Sequence, residues 1–174
     1  MLGRYRLIDF LLSNMIHSGV QNVGIIMQGN YHSLMDHIGS GREWDLHGKR
    51  SGLTILPPYM SRENVGVYEG LLDALHTNMN FMRRSVERNI VVTDSNVLYQ
   101  VDFRDMLEEH LQSKADITLL YTKDRNVRRN GRGRYLDVKD GRVERIEFDP
   151  TIPRFENTYI GAFIVRRELL IDMV

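Results

Sequence analysis

The chain has 174 residues, 42% of them hydrophobic and 26% charged, and its 23 lysines and arginines balance its 23 aspartates and glutamates. This size predicts one globular domain or most of one, and the zero net charge argues against a dedicated nucleic-acid or membrane-surface protein. The lack of cysteine excludes disulfides, zinc–thiolate sites and a thiol nucleophile, and no apolar run approaches the roughly 20 residues that span a bilayer. We expect a cytoplasmic protein with small-molecule or protein partners.

Helical and strand-like patterns alternate through the first half of the chain. Apolar residues recur at helical spacing over 5–18, and Gly19 stands where a left-handed residue would end the helix. The remaining predicted elements are a strand at 23–27, a helix at 31–37, a polar, glycine-rich loop at 39–52, a strand at 53–56 and a helix at 68–82.

The second half continues this alternation and then changes to a hairpin. The predicted elements are an apolar strand at 89–93, a helix capped by Asp102, a strand at 117–121, a hairpin of 134–138 with 142–148 around Lys139-Asp140-Gly141, and a closing strand at 158–165. Single helices between strands indicate right-handed crossovers and an α/β, Rossmann-like fold. We expect a mostly parallel sheet with 23–27, 89–93 and 117–121 at its centre, because these strands are the most continuously apolar.

Polar residues follow a predicted strand at the place where open α/β sheets bind ligands. Asp94, Ser95 and Asn96 come directly after the strand 89–93. The segment either holds a divalent ion between a carboxylate and phosphates or forms a turn, and its local spacing favours the two interpretations equally. The sequence contains no glycine-rich phosphate-binding motif of the P-loop or dinucleotide type.

Three other features have a structural explanation that outweighs a functional one. His32 and His37 lie five residues apart, which is not the spacing of metal ligands on a helix. The arginines between 125 and 134 lack interleaved aromatic residues and predict a solvated loop instead of a nucleic-acid site. Trp44 in the polar loop could stack on a base or sugar, but a single tryptophan more often anchors a loop to the core.

A set of short motifs runs in order through nearly the whole chain. These are Gly3-Arg4-Tyr5-Arg6-Leu7-Ile8-Asp9-Phe10, Leu12-Ser13-Asn14, Ser18-Gly19, Gln28, His37-Ile38-Gly39, Trp44-Asp45-Leu46, Leu56-Pro57-Pro58-Tyr59 and Tyr68-x-Gly70. As a set they resemble glucose-1-phosphate adenylyltransferase, or ADP-glucose pyrophosphorylase, of bacterial glycogen synthesis. The resemblance implies a nucleotidyltransferase Rossmann-like domain followed by a left-handed β-helix. It also implies a Mg²⁺-dependent reaction of ATP with glucose 1-phosphate that gives ADP-glucose and pyrophosphate.

The departures from this family pattern concern contacts to metal and phosphate. Counted back from Val101-Asp102-Phe103, Asn96 stands where the resemblance places the family's metal-binding aspartate, and a neutral amide is a poor Mg²⁺ ligand. The segment 70–74 lacks the family's threonine, and 149–153 lacks the lysine that pairs with the sugar phosphate. We expect residues 1–174 to be a partial nucleotidyltransferase domain, with the glycine-rich phosphate loop and the β-helix absent from this chain.

These departures look like the D-type paralogue of glycogen biosynthesis, a degenerate subunit that modulates a catalytic one. The resemblance therefore predicts a catalytically impaired regulatory subunit, with no catalytic residues and no Mg²⁺ of its own, in a hetero-oligomer with a catalytic adenylyltransferase subunit. One alternative is an active adenylyltransferase in which Asp94 or another carboxylate replaces the lost metal ligand. The other is a sugar-nucleotide-binding module that has lost catalysis.

Six residues keep positions at which the resemblance implies contact with a nucleotide or sugar phosphate. They are Gln28, Tyr68, Gly70, Asp73, Gly133 and Gly161. All of them are equally suited to backbone or packing roles, and glycines in turns are structural more often than not. We also expect that apolar surface normally covered in a longer protein is exposed here, so that the chain associates or is poorly soluble.

Overall fold

The computed structural model describes residues 5–28, 31–48, 52–57, 68–124, 127 and 133–174. The elements in chain order are α1 (Leu7–His17), β1 (Asn22–Ile26), α2 (Tyr31–Ile38), a 3₁₀ turn (Arg42–Trp44), β2 (Gly52–Leu56), α3 (Leu71–Thr77), α4 (Met79–Arg84), β3 (Asn89–Thr93), α5 (Phe103–Ser113), β4 (Ile117–Thr122), β5 (Arg134–Lys139), β6 (Arg142–Phe148), β7 (Asn157–Arg166) and α6 (Arg167–Met173). Among the described helices, none is long and apolar enough to cross a membrane.

Local sequence signals fix several element ends as predicted. Gly19 has a φ of +78° directly after α1, and the side chain of Asp102 accepts a hydrogen bond of 2.9 Å from the backbone N–H of Arg104 at the start of α5. Asp140 and Gly141 both have positive φ, at 47° and 76°, which is the geometry of a tight turn between antiparallel strands. The predicted C-cap, N-cap and hairpin are confirmed.

The strand pairing corrects the prediction of a mostly parallel sheet. β1 and β2 pair in parallel, but the five-stranded sheet, in the order β3-β7-β5-β6 with β4 also on β7, contains only antiparallel pairs among the described residues. β3 and β4 run in the same direction, as a helical crossover requires, and β7 lies between them in the opposite direction. The β5–β6 hairpin reverses the chain before β7, so this strand, the last one in chain order as predicted, runs antiparallel to its neighbours.

Two apolar cores cover opposite faces of the strands. Val23, Ile25 and Met27 pack with α1 and α5, whereas the alternate residue Ile26 packs with α3, α4 and α6. The side chains of β3 alternate in the same way: Val91 contacts the first core, and Ile90 and Val92 contact the second. This period of two is the pattern of a sheet with helices on both faces.

Two details differ from the elements expected from periodicity, and a third agrees with expectation. The predicted helix at 68–82 is two helices, α3 and α4, with a break at Asn78, whose side chain donates to the backbone C=O of Ala74. In α5, the helical spacing of Phe103, Met106, Leu107, His110 and Leu111 predicts one buried stripe, but Leu111 is 58% exposed and lies outside it. Trp44 anchors its loop as the structural interpretation predicted: it is buried, and its indole N–H donates to Ser13 Oγ at 3.3 Å.

Candidate functional site

A cavity of about 890 Å³ lies between β1 and β3 and follows both strands along their length. Its polar end lies at the carboxyl ends of the two strands. The polar residues and the glycine that line this end are Gln28, Tyr68, Gly70, Asp94, Ser95 and Arg134. This is the position at which open α/β folds bind ligands.

Gln28 and Tyr68 are joined on one wall of this end. The amide of Gln28 donates to the backbone C=O of Tyr68 at 3.3 Å. The side chain of Tyr68 is buried, and its hydroxyl accepts a hydrogen bond from the Asn78 amide at 3.2 Å, so it also connects the cavity wall to the α3–α4 junction. Gly70 precedes α3 and has extended backbone with open space around its Cα. The structure brings these three predicted residues together.

Asp94 lies against the backbone of Gly161 on the opposite wall. Its N–H donates to the Gly161 C=O at 2.8 Å, and a Cβ added to Gly161 would lie 2.7 Å from the Asp94 carboxylate. Gly161 also has a φ of +86°, which side chains rarely adopt. The glycine therefore makes room for the carboxylate at the end of β3.

Two tyrosines and an arginine surround this carboxylate. Burial, followed by the charge of Asp94, raises the pKa of Tyr159 to about 12, while Arg134 lowers it in part. The guanidinium carbon of Arg134 lies 5.6 Å from the centre of the Tyr159 ring. Burial also raises the pKa of Tyr99, whose hydroxyl shares a short hydrogen bond with Thr93. Asp94, Tyr99, Arg134 and Tyr159 are called the strand-end cluster below.

The remaining sequence-predicted residues lie outside the cavity lining. The carboxylate of Asp73, in the first turn of α3, accepts a hydrogen bond of 3.0 Å from the N–H of Glu69, which precedes the helix. Gly133 has a φ of +140°, and its N–H donates to the Asp149 carboxylate at 2.6 Å, at the base of the β5–β6 hairpin. Asn96 is exposed in the loop after β3. A ligand contact at any of these positions stays a prediction.

No sequence motif marks Tyr99 or Tyr159, and Arg134 belongs both to the arginine-rich segment predicted as a solvated loop and to the start of the predicted strand 134–138. Arg134 is the first residue of β5, and Tyr159 lies three residues into β7. Their approach to Asp94 depends on the antiparallel placement of β7 beside β3, which no local spacing encodes. One sequence feature could have indicated a role for Arg134, namely its position directly after Gly133 at the start of the predicted strand 134–138.

Comparisons with known proteins identify the family. The model of the nucleotidyl transferase family matches residues 1–173. The chain belongs to the nucleotidyl transferase family. It is 36% identical over 172 residues to a glucose-1-phosphate adenylyltransferase of Thermomicrobium roseum and 30% identical over 168 residues to that of Bacillus subtilis. These matches cover 98% and 97% of this chain but 40% and 44% of the relatives.

A solved structure supports the nucleotidyl transferase fold. A protein from Bacillus anthracis described as a glucose-1-phosphate thymidylyltransferase, crystallised with sucrose, superimposes with a TM-score of 0.75 at 18% identity. The superposition covers 98% of this chain and 62% of that protein. The predicted α/β nucleotidyltransferase fold is confirmed, with the correction to strand direction given above.

The segment after β3 does not fit an ordinary Mg²⁺ site at the position that the family resemblance indicates. Mg²⁺ is held by oxygen ligands, among which carboxylates supply the charge, and Asn96 offers only a neutral amide. Within the described parts of the chain, no group of three or more histidine, aspartate or glutamate side chains converges as a metal site.

Proposed function

We propose that this nucleotidyl transferase chain is part of a cytoplasmic glycogen-biosynthesis protein of the glucose-1-phosphate adenylyltransferase type. In this proposal it does not catalyse on its own and modulates a catalytic adenylyltransferase subunit. The observation that carries the proposal is the amide of Asn96 in the loop after β3, where the family resemblance calls for a carboxylate. The similarity to curated glucose-1-phosphate adenylyltransferases over nearly all of the chain supports the reaction class.

The physical reason is electrostatic. The family reaction transfers the adenylyl group of ATP to the phosphate of glucose 1-phosphate and releases pyrophosphate, and such reactions depend on positioning and on neutralising phosphate charge. Losing one preorganised electrostatic contact costs on the order of a hundredfold in rate. Asn96 and the lysine-free segment 149–153 together remove two of the contacts that the resemblance implies. The chain still offers a polar cavity end for a nucleotide or sugar phosphate.

A second candidate function rests on Asp94. This carboxylate lines the cavity, whereas Asn96 is exposed outside it, and Arg134 lines the same cavity end. In an active adenylyltransferase, Asp94 would supply the negative charge that Asn96 lacks, and Arg134 would face substrate phosphate. The two functions predict different results. An active enzyme has a measurable turnover that is lost when the Asp94 charge is removed, whereas the regulatory subunit has no turnover of its own.

The test follows pyrophosphate release from ATP and glucose 1-phosphate with Mg²⁺. We would assay the 174-residue chain alone and mixed with a catalytically active glucose-1-phosphate adenylyltransferase. The regulatory proposal expects no turnover by the chain alone, a changed rate of the partner on mixing, and no rescue by Asn96→Asp. Turnover that Asp94→Asn abolishes would instead support the active enzyme.

Binding without any effect on a partner would favour a third function, a sugar-nucleotide-binding module. Titration calorimetry with ATP and with ADP-glucose measures this directly. Gln28→Ala and Arg134→Ala, on opposite walls of the polar cavity end, should both weaken binding if the ligand occupies that end. Glu144→Ala serves as the control, because Glu144 is exposed on β6 and is not part of the cavity lining.

A further inference from the structure

Two opposite charges line the polar end of the cavity and do not pair with each other. Asp94 follows β3 and Arg134 begins β5, and both residues are exposed and line the cavity. Among the residues that the structure describes, no ion pair or hydrogen bond engages the Asp94 carboxylate, and no carboxylate lies within ion-pair distance of the Arg134 guanidinium. Both charges are therefore available to a ligand.

Arg134 is held in place by its strand and by an aromatic ring. It is the register partner of Phe148 in the β5–β6 hairpin, and its guanidinium carbon lies 5.6 Å from the centre of the Tyr159 ring. A cation–π contact uses the face of the ring and leaves the N–H donors of the guanidinium free. Arginine donors, arranged in a planar fork, bind phosphate in a bidentate manner. Arg134 is thus suited to an anion, and to phosphate in particular.

Asp94 offers a fixed negative charge at the same end of the cavity. Its backbone is anchored by the hydrogen bond to Gly161, and its ionised carboxylate accepts hydrogen bonds but donates none. Burial is the main cause of the raised pKa of Tyr99 and of Tyr159, and the charge of Asp94 raises both further. The carboxylate therefore attracts a cation or a hydrogen-bond donor and repels a second anion.

A ligand that satisfies both residues carries an anion and a cation on one small skeleton. Free ATP brings negative charge only, which suits Arg134 but is repelled by Asp94. A neutral sugar phosphate brings phosphate to Arg134 and only hydroxyl donors to Asp94. A 2-amino sugar 1-phosphate keeps this phosphate and replaces the hydroxyl on the neighbouring ring carbon by a protonated amine. Its contact with Asp94 is then an ion pair as well as a hydrogen bond.

We propose that the polar end of the cavity selects a 2-amino sugar 1-phosphate over the corresponding neutral sugar phosphate, with the phosphate on Arg134 and the amine on Asp94. The inference rests on the proposed function, because it takes a sugar phosphate as the ligand of this site, and it adds the group that distinguishes one sugar from another. Arg134 provides affinity for every sugar phosphate, whereas Asp94 provides the selection. The selection therefore depends on one charge, which a substitution by asparagine removes without changing the size of the side chain.

The test measures the binding of three sugar phosphates to the 174-residue chain by titration calorimetry without metal. The probes are glucosamine 1-phosphate, glucose 1-phosphate and N-acetylglucosamine 1-phosphate, at a pH well below the value of about 8 at which such an amine titrates. We expect glucosamine 1-phosphate to bind about fivefold more tightly than glucose 1-phosphate, which is the upper range for an exposed ion pair. N-acetylglucosamine 1-phosphate, whose amide is neutral, should lack this advantage, and high salt should reduce it.

Three variants separate selection from affinity. Asp94→Asn should remove the preference for glucosamine 1-phosphate and leave the binding of glucose 1-phosphate nearly unchanged. Arg134→Gln should weaken the binding of all three sugar phosphates alike, because all three carry the phosphate. Asp105→Asn is the matched control, since Asp105 is an exposed carboxylate on α5 that is not part of the cavity lining. It should leave both affinity and preference as they are in the wild-type chain.

The outcomes distinguish this inference from the function on which it rests. Equal affinities of the wild-type chain for glucosamine 1-phosphate and glucose 1-phosphate would overturn the selection and leave the sugar-phosphate function in place. A preference that persists in Asp94→Asn, or that N-acetylglucosamine 1-phosphate shares, would also overturn it. Failure of all three sugar phosphates to bind would contradict the proposed function itself and the selection with it. The comparison of the three ligands on the wild-type chain does not depend on the folding of any variant.

Discussion

At the level of single residues, the absence of a side chain at Gly161 leaves room for the Asp94 carboxylate in the candidate site. Gly161→Ala should destabilise the chain for two reasons: the left-handed φ of +86° costs about 1–2 kcal/mol for a residue with a Cβ, and that Cβ would lie 2.7 Å from the Asp94 carboxylate. Urea denaturation measures the total loss, which we expect to exceed the backbone cost alone.

Gly141→Ala provides a matched control for this substitution. Gly141 has a similar φ of +76°, but nothing lies within 4 Å of its would-be Cβ. The difference between the two variants isolates the contact with Asp94. Adding Asp94→Ala to Gly161→Ala should recover part of that difference, because it removes the carboxylate but keeps the Asp94 Cβ at 3.0 Å from the added methyl group. Equal losses of stability in both glycine variants would contradict a destabilising contact with Asp94.

Tyr159 should titrate far above the usual range of tyrosine. Its pKa is raised to about 12 by burial and by Asp94, whereas an unfolded tyrosine titrates near 10. As the pH rises above 10, Tyr159 loses its proton in the unfolded state before it does so in the folded state. The contribution of Tyr159 to the free energy of unfolding is therefore fully present below pH 10 and is lost as the pH rises from about 10 through about 12.

Absorbance titration of the phenolate, compared with a Tyr159→Phe variant, assigns this pKa. Asp94→Asn should lower it because a nearby negative charge is removed, and Arg134→Gln should raise it because a nearby positive charge is removed. Shifts in the opposite directions would mean that the strand-end cluster is not assembled as described.

At the level of elements, the start of α5 depends on one carboxylate. Asp102 caps the helix and is paired with the Arg104 guanidinium at 2.6 Å, and the hydrogen bonds from Arg104 lower its pKa to about 2. Asp102→Ala should lower stability at neutral pH. The stabilising contribution is present above pH 4 and is lost as the pH falls towards 2, so denaturation at pH 2 should show a much smaller difference from the wild-type chain.

The control for this prediction is Asp105→Ala in the first turn of the same helix, which lacks the cap hydrogen bond. It should cost less than Asp102→Ala at neutral pH. A difference between Asp102→Ala and the wild-type chain that persists unchanged at pH 2 would contradict the assignment of the cap.

The elements themselves were largely predictable, whereas their pairing was not. Gly19, Asp102 and the Asp140-Gly141 turn each carry a local signal, and the structure confirms all three. The direction and central position of β7 arise from pairing between residues far apart in the chain. The polar cavity end could be predicted in part, because Gln28, Asp94 and Gly70 follow or precede elements that the sequence marks. Tyr159 could not, because only β7 brings it to Asp94.

At the level of the whole molecule, the sheet ends in an edge strand on which exposed apolar residues stand among charged ones. β6 is the outermost strand of the order β3-β7-β5-β6, and its alternate residues Ile146 and Phe148 are 41% and 67% exposed, with Ile152 beyond them at 80%. An edge strand with unpaired backbone groups and apolar side chains is prone to pair with another chain. The expected association of the chain therefore has a specific place in the structure.

We expect the chain to self-associate in sedimentation velocity at high concentration, and Phe148→Lys to shift it towards monomer, because a charged residue on an edge strand opposes pairing. Leu111→Lys is the matched control: Leu111 is similarly exposed, at 58%, but lies on α5, where no strand edge is available. It should leave association unchanged. If both lysines have the same effect, general apolar exposure causes the association. A wild-type chain that is still monomeric at high protein concentration would contradict pairing at this edge, because high concentration favours association.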